Sequence, residues 1–191
     1  MAPRNPEQIL EAIDAARRIA IVGSPGSGKS TLSRALAART GLPLVHLDQL
    51  HWEAGWTEPE ESVWRARVAR AAEGESWIID GNYGGTMAPR LARADLVLWL
   101  DFPTALCLWR LGKRIAGNYG RVRPDMTEGC PERLDWGFVW YVACFRRDGR
   151  PRLLAALPGA AGTVVPIVRP AVLDALLAER DVQRVASRSP S

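Results

Sequence analysis

Short apolar runs alternate with longer amphipathic segments along most of this chain. Five runs rich in β-branched or aromatic residues are followed directly by loop or helix sequence, which is the pattern of buried strands. These predicted strands are residues 18–22, 43–47, 76–80, 96–101 and 163–168. The first of them, RIAIV, leads without a break into glycine-rich sequence.

The segments between the runs repeat apolar residues every three or four positions, which predicts helices. The predicted helices are residues 6–16, 29–39, 60–72, 86–93, 104–116, 131–147 and 170–180. Strands that alternate with helices form βαβ units, in which a mostly parallel sheet is covered by helices on both faces. The pattern therefore predicts an α/β fold that binds ligands at the carboxyl ends of its strands.

Residues 117–132 (GNYGRVRPDMTEGCPE) interrupt this rhythm with three glycines, two prolines and no apolar periodicity. They predict a mobile loop that serves as a small lid. The polar end of the chain, residues 183–191, predicts a flexible tail. Residues 1–182 are therefore expected to form one domain that carries the lid.

Composition narrows the class of protein. A chain of 191 residues that is 47% hydrophobic and 24% charged can bury a globular core. Cys107, Cys130 and Cys144 are odd in number and none is spaced as CxxC, which argues against a disulfide framework or a zinc site and favours the cytoplasm. Because the sequence has neither a run of about 18 apolar residues nor an apolar signal-peptide core, no membrane span and no export are expected.

Charge is distributed unevenly along the chain. The net charge is only +4, but residues 110–152 contain ten basic and five acidic side chains. This local excess indicates either an anionic partner or a solvated, arginine-rich surface.

The most specific motif follows the first predicted strand. Residues 23–30, GSPGSGKS, match G-x-x-x-x-G-K-[ST] between a strand and a helix, which is the context that a phosphate-binding loop requires. Backbone N–H groups of such a loop surround phosphate oxygens, and the following helix directs its positive end at the same group. The predicted nucleotide-binding residues are Gly23, Ser24, Pro25, Gly26, Ser27, Gly28, Lys29, Ser30 and Thr31.

Two side chains of this loop have distinct expected roles. Lys29 is expected to reach the β- and γ-phosphates of ATP or GTP, and the Ser30 hydroxyl is expected to bind Mg²⁺. The chain has 25 basic residues but only two lysines, Lys29 and Lys113. A lysine at this position is therefore a specific signal, because a compact point charge is needed there.

Beyond this loop, the chain resembles the branch of adenylate-kinase-like P-loop proteins often labelled DNA topology modulation protein. The resemblance extends from about residue 19 to residue 177, and it rests on GSPGSGKSTLSRALA (23–37), HLDQLHWEAGW (46–56), IIDGNYGGT (78–86), LDFPTALCLWRLGKR (100–114) and RPDMTEGCPERLD (123–135). More widely, the layout is similar to nucleoside-monophosphate and shikimate-type kinases. It implies a three-layer P-loop NTPase fold with a five-stranded parallel sheet, an acceptor-binding region and an arginine-bearing lid.

The resemblance places acceptor-binding residues after the second and third strands. Asp48 matches the second aspartate of the D-x-D that shikimate-type kinases carry after strand two, so it is expected to bind or deprotonate an acceptor hydroxyl, or else to cap a turn. His46 replaces the first carboxylate, which argues against a shikimate-like acceptor. His51 and Trp52, on the loop after strand two, and Asn82 are further candidates, although the aromatic rings are equally compatible with core packing.

Two further aspartates end predicted strands. Asp80 resembles the Asp-Gly turn of adenylate kinases, and it is favoured over Asp48 as the acid that supports Mg²⁺. Asp101 ends the fourth strand in the same way, but the Phe-Pro sequence after it favours a helix N-cap.

Four arginines are candidates for stabilising the transferred phosphoryl group. Arg110 and Arg114 are four residues apart and share a helix face, whereas Arg121 and Arg123 lie in the lid. Guanidinium groups that meet the phosphates on lid closure neutralise charge on the transferring oxygens.

The sequence therefore predicts a magnesium-dependent, ATP-binding kinase that transfers the γ-phosphoryl group to a nucleotide, a nucleoside or a small hydroxylated metabolite. Two alternatives stay open. One is a nucleotide-binding regulatory protein that contacts DNA, although no helix-turn-helix, zinc finger or RNA-binding signature is present. The other is an NTPase that transfers phosphate to water, which rapid acceptor-independent hydrolysis of ATP would support.

Overall fold

The fold is built on one sheet of five parallel strands. The computed structural model describes residues 5–186, with side chains described as far as residue 178. The strands are β1 (Arg18–Gly23), β2 (Leu44–His46), β3 (Trp77–Asp80), β4 (Leu96–Leu100) and β5 (Thr163–Ile167), in the order β2-β3-β1-β4-β5. The five predicted strands and the predicted three-layer α/β fold are confirmed.

Helices pack on both faces of this sheet. They are α1 (Pro6–Ala15), α2 (Lys29–Thr40), α3 (Leu47–His51), α4 (Glu61–Glu73), α5 (Met87–Leu91), α6 (Thr104–Asn118), α7 (Trp136–Ala156) and α8 (Pro170–Ala186). Within residues 5–186, none of the helices combines the length and the hydropathy needed to cross a membrane. Residues 183–186 of the predicted tail continue α8, and residues 187–191 lie outside the described part of the chain.

Helix α3 was not predicted, because five residues are too few to display a helical repeat. Its presence corrects the predicted position of His51, which ends this helix instead of lying on a loop. Helix α7 begins at residue 136, five residues later than predicted, because the Asp135 side chain caps it by accepting a hydrogen bond from Phe138 N at 3.0 Å. The same helix continues through Pro151 to residue 156, well beyond its predicted end.

The predicted N-cap role of Asp101 is wrong. Helix α6 begins after Pro103 without a side-chain cap from the described residues, and the Asp101 carboxylate instead accepts hydrogen bonds from Arg150 of α7, the shortest at 2.8 Å. A guanidinium that meets both carboxylate oxygens makes a stronger contact than a single helix N–H group, which explains the preference.

Two hydrophobic layers lie on opposite faces of the sheet, because successive side chains of a strand point to opposite sides. In β1, Ile19 and Ile21 pack with α1, α2, α6 and α8 on one face, whereas Ala20 and Val22 pack with α4 and α5 on the other. Because β1 is central and buried on both faces, its carboxyl end is held rigidly where the phosphate loop begins.

Candidate active site at the carboxyl edge of the sheet

The loop between β1 and α2 has a backbone that only glycine accommodates at two points. Gly26 and Gly28 adopt positive φ angles of 77° and 98°. A Cβ atom on Gly26 would lie 2.5 Å from the carbonyl oxygen of Cys107, so the loop lies directly against α6. No side chain of the described residues caps the start of α2, and its first N–H groups are therefore available to an anion.

Lys29 and Arg110 both hold the backbone of this loop. The Lys29 ammonium donates to the carbonyl oxygens of Gly23 and Ser24 at 3.1 and 3.0 Å, and Arg110 Nη1 donates to the Ser27 carbonyl at 2.7 Å. Burial lowers the pKa of Lys29, and the nearby carboxylates of Asp80 and Asp48 oppose that change. Two predicted phosphate-binding cations therefore also brace the loop.

The Asn82 side chain joins the end of β3 to the start of the phosphate loop. Its Oδ1 accepts from Gly23 N at 3.0 Å, and its Nδ2 donates to the Gly23 carbonyl at 2.8 Å. Both ends of the amide are used in this contact, so the residue predicted to bind an acceptor fixes the loop as well.

Asp80 lies buried beneath the phosphate loop and is hydrogen-bonded through both carboxylate oxygens. His46 Nδ1 lies 2.8 Å from Oδ1, and the Ser33 hydroxyl of α2 donates to Oδ2 at 3.0 Å. His46 and Asp80 are register partners in neighbouring strands, which explains their closeness. His46, which replaces the first aspartate of the D-x-D pattern, thus hydrogen-bonds Asp80 at the end of β3.

Asp48 and Tyr83 form a polar pair. The Tyr83 hydroxyl donates to Asp48 Oδ1 at 2.7 Å. Burial and the neighbouring carboxylate raise the pKa of Tyr83, so the phenol stays protonated and continues to donate. Asp48 lines a cavity that Trp52 also lines.

The turn after β3 is supported from within by Arg90, a residue that no sequence motif singled out. Its buried guanidinium donates to the carbonyl oxygens of Thr86 at 3.1 Å, Gly81 at 3.2 Å and Asn82. Burial lowers the pKa of Arg90 to about 10, which still leaves it charged at neutral pH. The backbone that carries Asn82 and Tyr83 is thereby fixed.

Residues 119–135 connect α6 to α7 and are here called the lid; the predicted lid began at residue 117, but residues 117 and 118 belong to α6. Its conformation depends on a set of five charged side chains, here called the lid network: Arg34 of α2, Arg114 of α6, and Arg123, Asp125 and Glu132 of the lid. The ion pairs are Arg123–Asp125 (2.6 Å), Arg123–Glu132 (2.6 Å), Arg114–Glu132 (3.0 Å) and Arg34–Asp125 (3.4 Å). Because three cations oppose two anions, the network keeps a positive charge beside the cavity.

The lid also contacts the segment that follows β2. Gln49 Nε2 donates to the Pro124 carbonyl at 2.8 Å, and the Thr127 hydroxyl donates to the Gln49 carbonyl at 3.0 Å. Further along, the Cys130 thiol lies 3.1 Å from the Glu53 carbonyl. The lid is therefore packed against α3 and the residues that follow it.

One cavity of about 1390 Å³ connects these parts. The predicted site residues that line it are Pro25, Gly26, Gly28, Lys29, Ser30, Thr31, Asp48, Trp52, Asp80, Asn82, Arg110, Arg114 and Arg123. Gly23, Ser24 and Ser27 are buried and do not line it, and Arg121 is exposed. The His51 ring packs against Trp52, Trp64 and Tyr83, with ring centroids 4.8 to 5.0 Å away.

Sequence reasoning missed several cavity residues, among them Arg34, Tyr83, Asp125 and Glu132. Arg34 is four residues after Ser30 on α2, so helical spacing could have selected it. The two acids stand among arginines in the lid sequence, but nothing local indicates which arginine each would meet.

The residues present fit a nucleotide with Mg²⁺. Ser30 and Asp125 both line the cavity, which gives a hard cation oxygen-bearing side chains beside the phosphate loop. The Ser27 hydroxyl is buried without a hydrogen-bond partner among the described residues, so the loop retains an unused donor.

Comparison with known proteins identifies related kinases, although no protein-family model matches the chain. A shikimate kinase from Symbiobacterium thermophilum is 38% identical over 98 residues, which are 44% of this chain and 56% of that protein. A shikimate kinase from Rhodococcus jostii is 32% identical over 132 residues, which are 62% of this chain and 75% of that protein. A cytidylate kinase from Methanoculleus marisnigri is 36% identical over 119 residues, 54% of this chain and 62% of that protein. The chain thus spans little more than half the length of some relatives.

A solved structure supports the fold independently of close sequence similarity. The shikimate kinase from Acinetobacter baumannii in complex with shikimate superposes with a TM-score of 0.52 at 18% identity, covering 95% of this chain and 99% of that one. Together with the phosphate loop, the lid arginines and this fold, the related sequences identify the family of the chain. The chain belongs to the P-loop kinase family that includes the shikimate kinases and the nucleotide kinases.

Proposed function

We propose that this protein transfers the γ-phosphoryl group of ATP to a small-molecule acceptor. The observation that carries the proposal is that the phosphate loop, the Asp48–Tyr83 pair and the lid network line one cavity. Phosphoryl transfer needs positioning and positive charge more than a covalent catalyst, and this cavity supplies both.

On the nucleotide side, the loop amides and the start of α2 bind the phosphates, and Lys29 supplies a positive charge next to them. Arg110, Arg114 and Arg123 offset charge on the transferring oxygens. Ser30 holds Mg²⁺, which when bound contributes further positive charge at the phosphates. Asp80 supports this arrangement indirectly, because it fixes Ser33 on the helix that carries Ser30. The role of the exposed Arg121 stays a prediction.

On the acceptor side, Asp48 is the residue that orients an acceptor hydroxyl or removes its proton. One of its oxygens is held by Tyr83, which keeps the carboxylate in a fixed orientation. Trp52 offers an apolar face nearby, and Asn82 lies between the acceptor side and the phosphate loop. His51 acts through its packing against Trp52 and Tyr83. A nucleotide, a nucleoside or a small hydroxylated metabolite fits this set of groups.

Within the kinase family, we also propose membership of the branch labelled DNA topology modulation protein. The proposal rests on the lid sequence RPDMTEGCPERLD, because its Arg, Asp and Glu residues form the core of the lid network. The family label carries no catalytic information, so it does not choose an acceptor.

The decisive experiment offers ATP or GTP, with Mg²⁺, to a panel of nucleotides, nucleosides and hydroxylated metabolites. Phosphorylated products are measured directly by ³¹P NMR. We expect one acceptor class to be phosphorylated at a rate well above that of ATP hydrolysis, and Asp48→Asn to lose that transfer while retaining nucleotide binding. Hydrolysis that is unchanged by every acceptor would instead support an NTPase. DNA affinity that falls steeply with salt, without any transfer, would support a regulatory protein.

A further inference from the structure

Two tryptophans that follow Asp48 in the chain also line the cavity. They are Trp52 and Trp56, here called the aromatic corner, and both are half-buried. Their ring centroids are 5.4 Å apart and their planes meet at 69°, so the two indoles form adjoining walls instead of a stack. Trp52 N donates to the Asp48 carbonyl at 3.0 Å. The corner therefore begins one helical turn away from the residue that is proposed to orient the acceptor hydroxyl.

Trp56 is held in a backbone conformation that a bulky side chain rarely adopts. Its φ is 64°, in the left-handed region, where the Cβ atom lies too close to the following carbonyl oxygen. Its indole Nε1 is also buried without a hydrogen-bond partner among the described residues. Both features make a tryptophan unfavourable for stability at this position. They indicate that its ring has another use, because such costs are typical of functional sites.

The lid holds Trp56 at the wall of the cavity. Residues 53–57 form a turn that contacts the lid, since Gly55 N donates to the Gly129 carbonyl at 3.0 Å. From the same lid, the Arg133 guanidinium lies over the Trp56 ring, 5.1 Å from its centroid. Arg133 lines the cavity as well. The ring is thus fixed by the docked lid at a place that a ligand in the cavity can contact.

A planar ligand gains more from such a corner than a non-planar one does. An indole face stacks on another flat π-system, whereas the hydroxyl groups of a saturated ring lose water against an indole without gaining a hydrogen bond. A nucleoside joins a planar base to a hydroxylated sugar. It can therefore offer a ring to the aromatic corner and a hydroxyl to Asp48 at the same time.

We propose that the aromatic corner binds the base of the acceptor, so that Trp56 is a specificity-determining residue and the acceptor is a nucleoside or a nucleotide. The proposal rests on the proposed function, because it takes the part of the cavity beside Asp48 as the acceptor site. It differs from a purely structural role, in which Trp56 only joins residues 53–57 to the lid through Arg133.

The first test measures acceptor affinity by calorimetry, with the nucleotide side filled by Mg²⁺ and an ATP analogue that cannot transfer its γ-phosphate. The four common ribonucleosides and their 5′-monophosphates are compared with ribose and ribose 5-phosphate, which lack only the base. We expect at least one base-bearing compound to bind about 10-fold or more tightly than its base-free counterpart. Equal affinities throughout, or a preference for a non-aromatic hydroxylated acid such as shikimate, would overturn the inference.

Variants of Trp56 then test whether the ring is responsible. Trp56→Leu should weaken binding of that base-bearing compound by about 10-fold or more, whereas Trp56→Phe, which keeps an aromatic face, should weaken it by less than about 3-fold. Binding of ribose 5-phosphate should not change in either variant. Trp140→Leu is the matched control, because Trp140 is an exposed tryptophan of α7 that does not line the cavity.

A further variant, Trp56→Gly, removes the ring at a φ angle that glycine accepts, so it should repeat the loss of Trp56→Leu without backbone strain. Wild-type affinity in both variants, or an equal loss for ribose 5-phosphate, would show that Trp56 is only a structural anchor. The proposed function is tested separately, because calorimetry does not require turnover. If a base-bearing compound binds through Trp56 but is not phosphorylated, the proposed function fails and the inference stands. Transfer to a non-aromatic acceptor at the same rate in Trp56→Leu would have the opposite meaning.

Discussion

The phosphate loop and the lid line the same cavity, but they are held in place by different kinds of contact. The loop depends on backbone geometry and on hydrogen bonds to its own backbone, which come from Lys29 within the motif and from Asn82 and Arg110 outside it. The lid depends on charged side chains contributed by α2, α6 and the lid itself. A motif can therefore reveal the loop, whereas the lid is specified by contacts between distant residues.

The largest expected effect concerns the lysine of the loop. Lys29→Ala should lower kcat by about 10³-fold or more, because the charge next to the transferring phosphates is lost. The free energy of unfolding should change little, since the variant also removes a buried charge. The other lysine of the chain, Lys113, is exposed on α6 over the Trp109 ring and is the matched control. Full activity in Lys29→Ala would remove the catalytic assignment.

Substitution of one glycine in each region tests how well its backbone tolerates a side chain. Gly23 has a φ of 138°, and a Cβ there would lie 2.1 Å from the Leu100 carbonyl oxygen, so Gly23→Ala should cost about 3 kcal/mol or more in unfolding free energy. Gly120 of the lid also has a positive φ, 74°, but a Cβ there would meet no described atom within 4 Å, and Gly120→Ala should cost only about 1 kcal/mol. Urea denaturation measures both, and equal losses would contradict the distinction.

Local pattern was sufficient for most of the fold. The five strands follow from apolar runs, and the phosphate loop follows from GSPGSGKS, because both depend on residues adjacent in sequence. The five-residue helix α3 was not found, since it contains little more than one turn. The end of α7 was misjudged because Pro151 usually argues against a helix interior.

The sequence predicted only those site residues whose roles can be recognised from their neighbours in the sequence. Lys29 and Asp80 were selected because each has a motif around it. Asp125 carried no such signal, since its partner Arg34 lies in another element and comes close only after folding. Sequence spacing therefore suggested the arginines as a class but could not pair them with their acids.

Removal of a central acid of the lid network should loosen the lid while leaving the loop intact. Glu132 is buried and contacts both Arg114 and Arg123, so Glu132→Gln leaves two nearby cations without their shared anion. We expect a loss of about 2 kcal/mol in unfolding free energy and faster proteolysis within residues 119–135. Glu128→Gln is the control. Unchanged proteolysis in Glu132→Gln would show that contacts with residues 49–55 hold the lid without the network.

The smallest expected effect is on pH dependence. Because the pKa of Asp125 is lowered in the folded protein, its contribution to stability is present above the unfolded pKa of about 4 and is lost as pH falls through the lower folded pKa. Asp125→Asn is neutral at every pH, so its Tm should lie below that of the wild type near pH 6 and approach it between about pH 4 and pH 2. Glu128→Gln, an exposed change in the same lid, should follow the wild-type profile throughout. A Tm difference for Asp125→Asn that stays constant across this range would mean that the side chain acts through its shape and not through its charge.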